Sequence, residues 1–166
     1  MNDPYKRIKH KYHNAQGDST DLLKEIVNAA DEIGFDQAFA YLEECVIEKR
    51  KAWIKKNLDD VKDTKQPVWD GYRLFYEVYL GVSAPEDGEI VAQSNHKIVS
   101  RWWNACPTLD ACEKLGLDTR EVCKKAYHKP VQEFLVQIHP NLRFERNYAC
   151  IRPYAPYCEE IIRLEE

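Results

Sequence analysis

Between residues 18 and 61 the apolar side chains repeat with a helical period that is interrupted once, at Gly34. Leu22, Leu23, Ile26, Val27, Ala30 and Ile33 follow Asp18-Ser19-Thr20, a run of residues that cap helix N-termini. Asp36 offers a second cap. Behind it Phe39, Leu42, Val46, Trp53 and Leu58 form the stripe of a longer helix. Its acids come early (Glu43, Glu44) and its bases late (Arg50, Lys51, Lys55, Lys56), the order a helix dipole favours. So short a break predicts an αα-hairpin over 18–61. The basic stretch before it, 1–17, reads as a flexible lead.

Beyond Asp59–Pro67, a polar linker, the period changes. Residues 72–80 fit two templates: Phe75, Val78, Tyr79 and Val82 a helix, and Leu74, Tyr76, Val78 and Leu80 a strand. The helix is the preferred reading. Two strands are predicted at 89–93 and 97–105, joined at Ser94-Asn95-His96. Pro107 breaks the second, and a short helix follows to Gly116. Asp118 caps the next helix, which carries Val122, Ala126, Phe134, Leu135 and Ile138 inward and should kink at Pro130. Strands at 142–150 and 157–164 complete the chain. The expected fold class is α+β: a helical pair, then a mainly antiparallel four-stranded sheet covered by helices, with 18–166 as one domain and 89–166 as its cysteine-bearing sheet unit.

With 166 residues the chain is long enough to bury a core without covalent staples. Its formal charge, 24 minus 28 or -4, argues against a uniformly basic nucleic-acid binder. The basic run Lys49-Arg50-Lys51 with Lys55 and Lys56 is flanked by acids and reads as a solvated helix face. There is no run of 18 apolar residues for a membrane span and no apolar segment behind the basic N-terminus for export. A cytoplasmic protein with a small-molecule substrate or ligand is expected, with self-association into a homo-oligomer left open.

That compartment implies reduced thiols for the six cysteines. Five of them, Cys106, Cys112, Cys123, Cys150 and Cys158, fall in the last 61 residues. Cys106 lies where a strand ends and a helix begins, a position at which the helix N-terminus favours a thiolate. Cys123 follows one turn into the next helix, and Cys158 opens the last strand. If folding gathers these three, with Cys112 or Cys150 as a fourth member and His96, His128 or His139 nearby, two chemistries follow. Cys106, Cys123, Cys158 and Cys112 would ligate zinc or iron. Alternatively, one activated thiolate beside a histidine would act as a nucleophile. The plain alternative is a set of buried core thiols.

The order Ala-Cys106-Pro107, Leu109, Lys114-Leu115-Gly116-Leu117, Cys123, His139-Pro140-Asn141-Leu142-Arg143-Phe144-Glu145-Arg146 and Cys158 followed by Ile161 resembles the L-2-amino-thiazoline-4-carboxylic acid hydrolase family. The likeness covers 94–166 in motif detail and the helical pair in outline. His139-Pro140 stands where the family more usually has Asn-Pro. Arg152-Pro153-Tyr154-Ala155-Pro156-Tyr157 replaces a glycine-containing turn, and Trp102-Trp103 is unusually bulky.

The resemblance implies a hydrolase that opens a small cyclic amidine. Water or a thiolate adds at the carbon between ring nitrogen and sulfur, and the C–S bond breaks. On that reading Cys106 is the first choice of nucleophile, with Cys123 and Cys158 beside it, and His128 or His96 moves the proton. Arg101 or Arg152 holds the substrate carboxylate, and Trp103 lines the ring site. A related outline occurs in vinyl-reductase-like small-ligand domains, which makes a metal-bearing sensory module the second expectation. An accessory protein that binds a partner through the helical pair is the third.

Overall fold

The computed structural model describes residues 3–15, 17–59, 61 and 63–166. Helix α1 (Pro4–Asn14) is followed by α2 (Thr20–Ile33) and α3 (Phe35–Asn57). Helix α4 (Pro67–Tyr72) runs into a π-helical segment (Arg73–Leu80), and strands β1 (Gly88–Gln93) and β2 (Lys97–Trp102) come next. Helix α5 (Pro107–Leu115) precedes α6 (Thr119–Val122), a second π-helical segment (Cys123–Tyr127) and α7 (His128–Val136). Strands β3 (Leu142–Asn147) and β4 (Cys158–Leu164) close the chain. The α+β class is therefore shown, and no described helix is long and apolar enough to cross a membrane.

The structure divides into two compact units, Met1–Glu48 with Cys106–Lys129 and Lys49–Ala105 with Pro130–Glu166. In the first, α2 and the start of α3 bury Leu22, Leu23, Ile26, Phe39 and Leu42 in one core, which takes in Cys112 from α5 and Val122 from α6. The expected flexible lead is instead helical from Pro4. Asp3 caps α1 by accepting from the Tyr5 N–H at 3.0 Å, and Pro4 occupies the first turn. Ile8 is fully buried, and Arg7 pairs with Glu25 at 2.5 Å and with Glu32. Tyr5, Ile8 and Tyr12 recur at helical spacing, Tyr12 packing on the same core and Tyr5 edge-on to Tyr41 at 5.1 Å, a short stripe set among basic residues. Asp36, expected as a cap, sits in the first turn of α3 and pairs with Lys125 at 2.9 Å.

The second unit is built on a fully antiparallel sheet in the order β1-β2-β4-β3. Ile98, Ser100 and Trp102 alternate inward on β2. Opposite them the register places Ile162, Glu160 and Cys158, and on β3 Phe144 and Arg146 lie opposite Ile162 and Glu160. Helix α4 and its π extension share the core of this inner face. Gly71 permits close approach, because a Cβ there would lie 3.2 Å from Leu135 and 3.3 Å from Leu142. Tyr72 stacks near Trp102 with ring centroids 6.1 Å apart, and Tyr76 lies at 4.6 Å from the same indole.

Both π segments have a physical reading. Closing i→i+5 hydrogen bonds, a π turn presents apolar residues on neither the 3.6 period nor the alternation of a strand. That is why two templates competed over 72–80, where Leu74, Phe75 and Tyr76 are buried in succession. The second π segment ends three residues before Pro130, whose missing N–H and bulky ring disfavour a regular turn there. Pro130 itself lies inside α7 and is buried.

Gly88 is sterically required. A Cβ at that position would stand 2.3 Å from the Arg101 carbonyl oxygen and 2.5 Å from the Trp102 ring. Gly88→Ala is expected to cost about 1–3 kcal/mol by forcing β1 away from β2, read as a lowered urea midpoint. An unchanged midpoint would show that β1 is free to shift.

Candidate active site

All six cysteines are free thiols; Cys45 and Cys112 are buried and the other four half-buried. Cys106 is the residue before α5, as the sequence predicts, and its carbonyl accepts from the Asp110 N–H at 3.1 Å. Cys123 opens the second π segment. Both belong to the first unit, and Cys158 belongs to the second. Among the described residues no group of three or more His, Cys, Asp or Glu side chains is arranged to hold a metal ion.

Cys112 is a core thiol. Burial, followed by the neighbouring Cys106 sulfur, pushes it up to about 12. Unfolding returns it to an ordinary thiol value, so between those two values the unfolded chain holds fewer protons than the folded one. Stability then falls as pH rises above about 8.5. Between pH 8 and 10.5 the loss traceable to this thiol is expected to be about 2–2.5 kcal/mol. Urea titrations of the native protein and Cys112→Ala at both pH values test it: parallel losses would contradict the assignment.

Cys158 is met by two donors from one residue. The loop between β3 and β4 brings Arg152 back onto it, and both the Arg152 backbone N–H and its Nε–H donate to the Cys158 Sγ at 3.4 Å. The same guanidinium donates from Nη1 to the Asn104 carbonyl at 2.6 Å, which ties it to the end of β2. Arg152, expected as a carboxylate clamp, is thus directed at a sulfur. Trp102, directly across from Cys158 in the sheet and 3% exposed, underlies the position.

A polar chain begins one inward step along β4. Trp102 Nε1–H donates to Ser100 Oγ at 2.8 Å, and Ser100 bonds the Tyr76 hydroxyl. Tyr76 donates to Glu160 Oε1 at 2.7 Å, and Arg146 Nε–H donates to Glu160 Oε2 at 2.9 Å. The Arg146 and Glu160 side chains are only 8% and 12% exposed. Burial, then the Glu160 charge, holds the Tyr76 hydroxyl well above its usual range, so it remains a donor. Sequence reasoning did not single out Ser100, Tyr76, Arg146 or Glu160. The available signal was strand alternation: residues 158, 160 and 162 must share a face, so an acid sits between a cysteine and a buried isoleucine.

The other expected residues lie elsewhere. Arg101 is on the opposite face of the sheet from Cys158, paired with Glu159 at 2.9 Å and stacked 4.6 Å from the Tyr157 ring. Hydrogen bonds from Asn147 and then Arg101 hold the Glu159 carboxyl below its usual range. Trp103 is 43% exposed beyond the strand, with Nε1–H donating to the Glu86 carbonyl at 3.0 Å. His128 begins α7 in a half-buried position. His139 accepts the Asn141 N–H at 3.1 Å, a helix-end contact, and His96 is exposed near Glu166. A groove of about 350 Å³ lined by Lys65, Gln66, Val68, Trp69, Gln93, Ser94 and Asn95 lies at the hairpin end of β2. That is about 17 Å along the strand from the Cys158 end.

Comparisons with protein-family models, with curated proteins and with solved structures find no match to this chain. The family resemblance rests on the sequence motifs quoted above.

Proposed function

We propose that the protein is a hydrolase of the thiazoline-carboxylate type, opening a small cyclic amidine with Cys158 as the attacking sulfur. The observation that carries this reading is the pair of N–H donors from Arg152 on the Cys158 Sγ, since cationic and N–H neighbours are what activate a cysteine. In the proposed course, the Cys158 sulfur adds to the amidine carbon between ring nitrogen and ring sulfur. The ring C–S bond breaks, and the proton lost from Cys158 ends on the departing ring sulfur as a new thiol. Water then adds to the enzyme-bound carbon, and the Cys158 thiol leaves, giving a urea-type product. The net reaction consumes one water and no oxidant.

Cys106, Cys123 and His128 have no assigned step in this course, and the metal reading draws no support from the side chains described here. The test is release of one new thiol per turnover from a panel of thiazoline-4-carboxylates, measured with a thiol reagent. Release above the uncatalysed rate, with a transient substrate-derived mass on the peptide carrying Cys158, is the expected result. No turnover on any ring of the panel would overturn the proposal.

A further inference from the structure

We infer that Cys150 and Cys158 form a dithiol pair that a hydroperoxide converts into a disulfide, closing the loop between β3 and β4 and masking the Cys158 sulfur. The masking rests on the proposed role of Cys158 in ring opening; the pair itself does not.

The second unit carries two cysteines, and they bound this loop. Both are half-buried, within reach of a small oxidant, whereas Cys45 and Cys112 are buried. The Glu159 backbone N–H donates to the Cys150 carbonyl at 2.9 Å. In a trans peptide the preceding Cα lies on the same side as the N–H. That bond therefore sets the Cys158 Cα beside the Cys150 carbonyl, with the two cysteine Cα atoms no more than about 6–7 Å apart. Only beyond about 7 Å does a disulfide demand backbone movement. The Cys158 side chain also turns towards this segment, because its Sγ accepts from the Arg152 backbone N–H, two residues past Cys150, at 3.4 Å.

The loop is held by its own bonds. The Cys150 N–H donates to the Asn147 carbonyl and the Ala155 N–H to the Ile151 carbonyl, each at 3.0 Å, and Ile151 is buried. The two cysteines therefore stay at bridging range, and rotation of the Cys150 side chain closes the bond.

The sulfurs take different parts. Arg152 sets two N–H donors on Cys158, surroundings that favour oxidation of a thiol, and Cys150 is the resolving thiol. The Cys158 sulfur attacks one peroxide oxygen and the O–O bond breaks. The thiol proton goes to the departing oxygen, leaving a sulfenic acid and an alcohol or water. The Cys150 sulfur then attacks the sulfenic sulfur, the S–O bond breaks, and hydroxide leaves with the Cys150 proton as water. Two thiols are oxidised to one disulfide and one hydroperoxide is reduced. A dithiol reductant reverses the change, and the disulfide stops Cys158 short of the irreversible sulfinic acid.

Hydrogen peroxide in small molar excess is the probe, added to the full chain near neutral pH. Remaining thiols are then blocked and the protein is digested without reductant. Both cysteines fall on one tryptic segment, 147–163, because Arg152 precedes Pro153. The expected result is that segment lighter by two hydrogens and returned to its reduced mass by dithiothreitol. In Cys150→Ser the same treatment should leave the sulfenic acid on Cys158, with roughly tenfold more dimedone adduct than in the native chain. A native segment that stays reduced, or that gains oxygen at Cys158 without the cross-link, overturns the inference. This native map decides even if Cys150→Ser does not fold. Oxidised protein should open thiazolines at least about tenfold more slowly until reductant is added; full activity in the oxidised protein would overturn the masking. A disulfide in a protein that opens no ring leaves the pair and removes the proposed reaction. Ring opening with no disulfide does the reverse.

Discussion

Cys158→Ser is expected to lower thiazoline ring opening by about 10³-fold or more while leaving the protein folded. The oxygen of serine is a far weaker nucleophile at neutral pH, and the Arg152 donors that serve a sulfur do not supply the base a hydroxyl needs. The structural cost is small, because the residue is half-buried at the start of β4 and its neighbours Trp102 and Glu159 are held by the sheet ladder itself. The unfolding free energy from urea titration should change by less than about 1 kcal/mol. Retention of more than a tenth of the native rate would remove Cys158 from the reaction. Cys106→Ser and Cys123→Ser serve as comparators, since the proposed course gives neither a step; a loss in either as large as in Cys158→Ser would reopen the three-sulfur centre.

Phe134→Ala is expected to be the most damaging single change to the fold, at about 3–5 kcal/mol. The ring is fully buried in the second unit, stacked 5.8 Å from Trp53, edge-on to Phe75 at 5.2 Å and 5.6 Å from Tyr79. Removing it leaves a cavity that three other aromatic rings line but cannot fill without leaving their own rotamers. Arg50 lies over two of those rings, 5.4 Å from Phe75 and 5.6 Å from Tyr79, so collapse of the cluster would also disturb a buried cation. Losses of this size are a large share of a domain's stability, and the variant should show loss of near-ultraviolet dichroism from the tryptophans at lower urea. A cost under about 1.5 kcal/mol would mean the cluster repacks freely.

What could be read from the residues was what their near neighbours in the chain decide. The α2 and α3 periodicity, the hairpin at 94–96, the start of α5 at Pro107 and the Asp118 cap, which accepts the Arg120 N–H at 2.9 Å, all depend on a few consecutive side chains. Val122, Ala126, Phe134, Leu135 and Ile138 are buried as their spacing requires. Helix α1 escaped because its stripe is only Tyr5, Ile8 and Tyr12 set among basic residues, and because Arg7 pairs with Glu25, eighteen residues away.

The candidate site was partly visible. Cys158 and Arg152 were both named, yet with Arg152 assigned to a carboxylate, because nothing local says that a Pro-rich turn folds its guanidinium onto the sulfur six residues later. Arg101 and Trp103 were placed from proximity in sequence to Cys106; one-residue alternation puts Arg101 through the sheet and the loop takes Trp103 outward. Glu160, Tyr76 and Arg146 come from β4, the first π segment and β3. Their meeting is set by cross-strand register, which short-range pattern does not carry.

Site-resolved alkylation kinetics probe the assignment of the reactive sulfur most directly. Native protein and Arg152→Gln would be treated with limiting iodoacetamide near neutral pH and each cysteine peptide followed by mass. Cys158 should be modified first and the buried Cys45 and Cys112 last, and Arg152→Gln should slow Cys158 by roughly three- to tenfold without changing the other five. Cys106 or Cys123 reacting ahead of Cys158, or a Cys158 rate indifferent to the loss of Arg152, would contradict it.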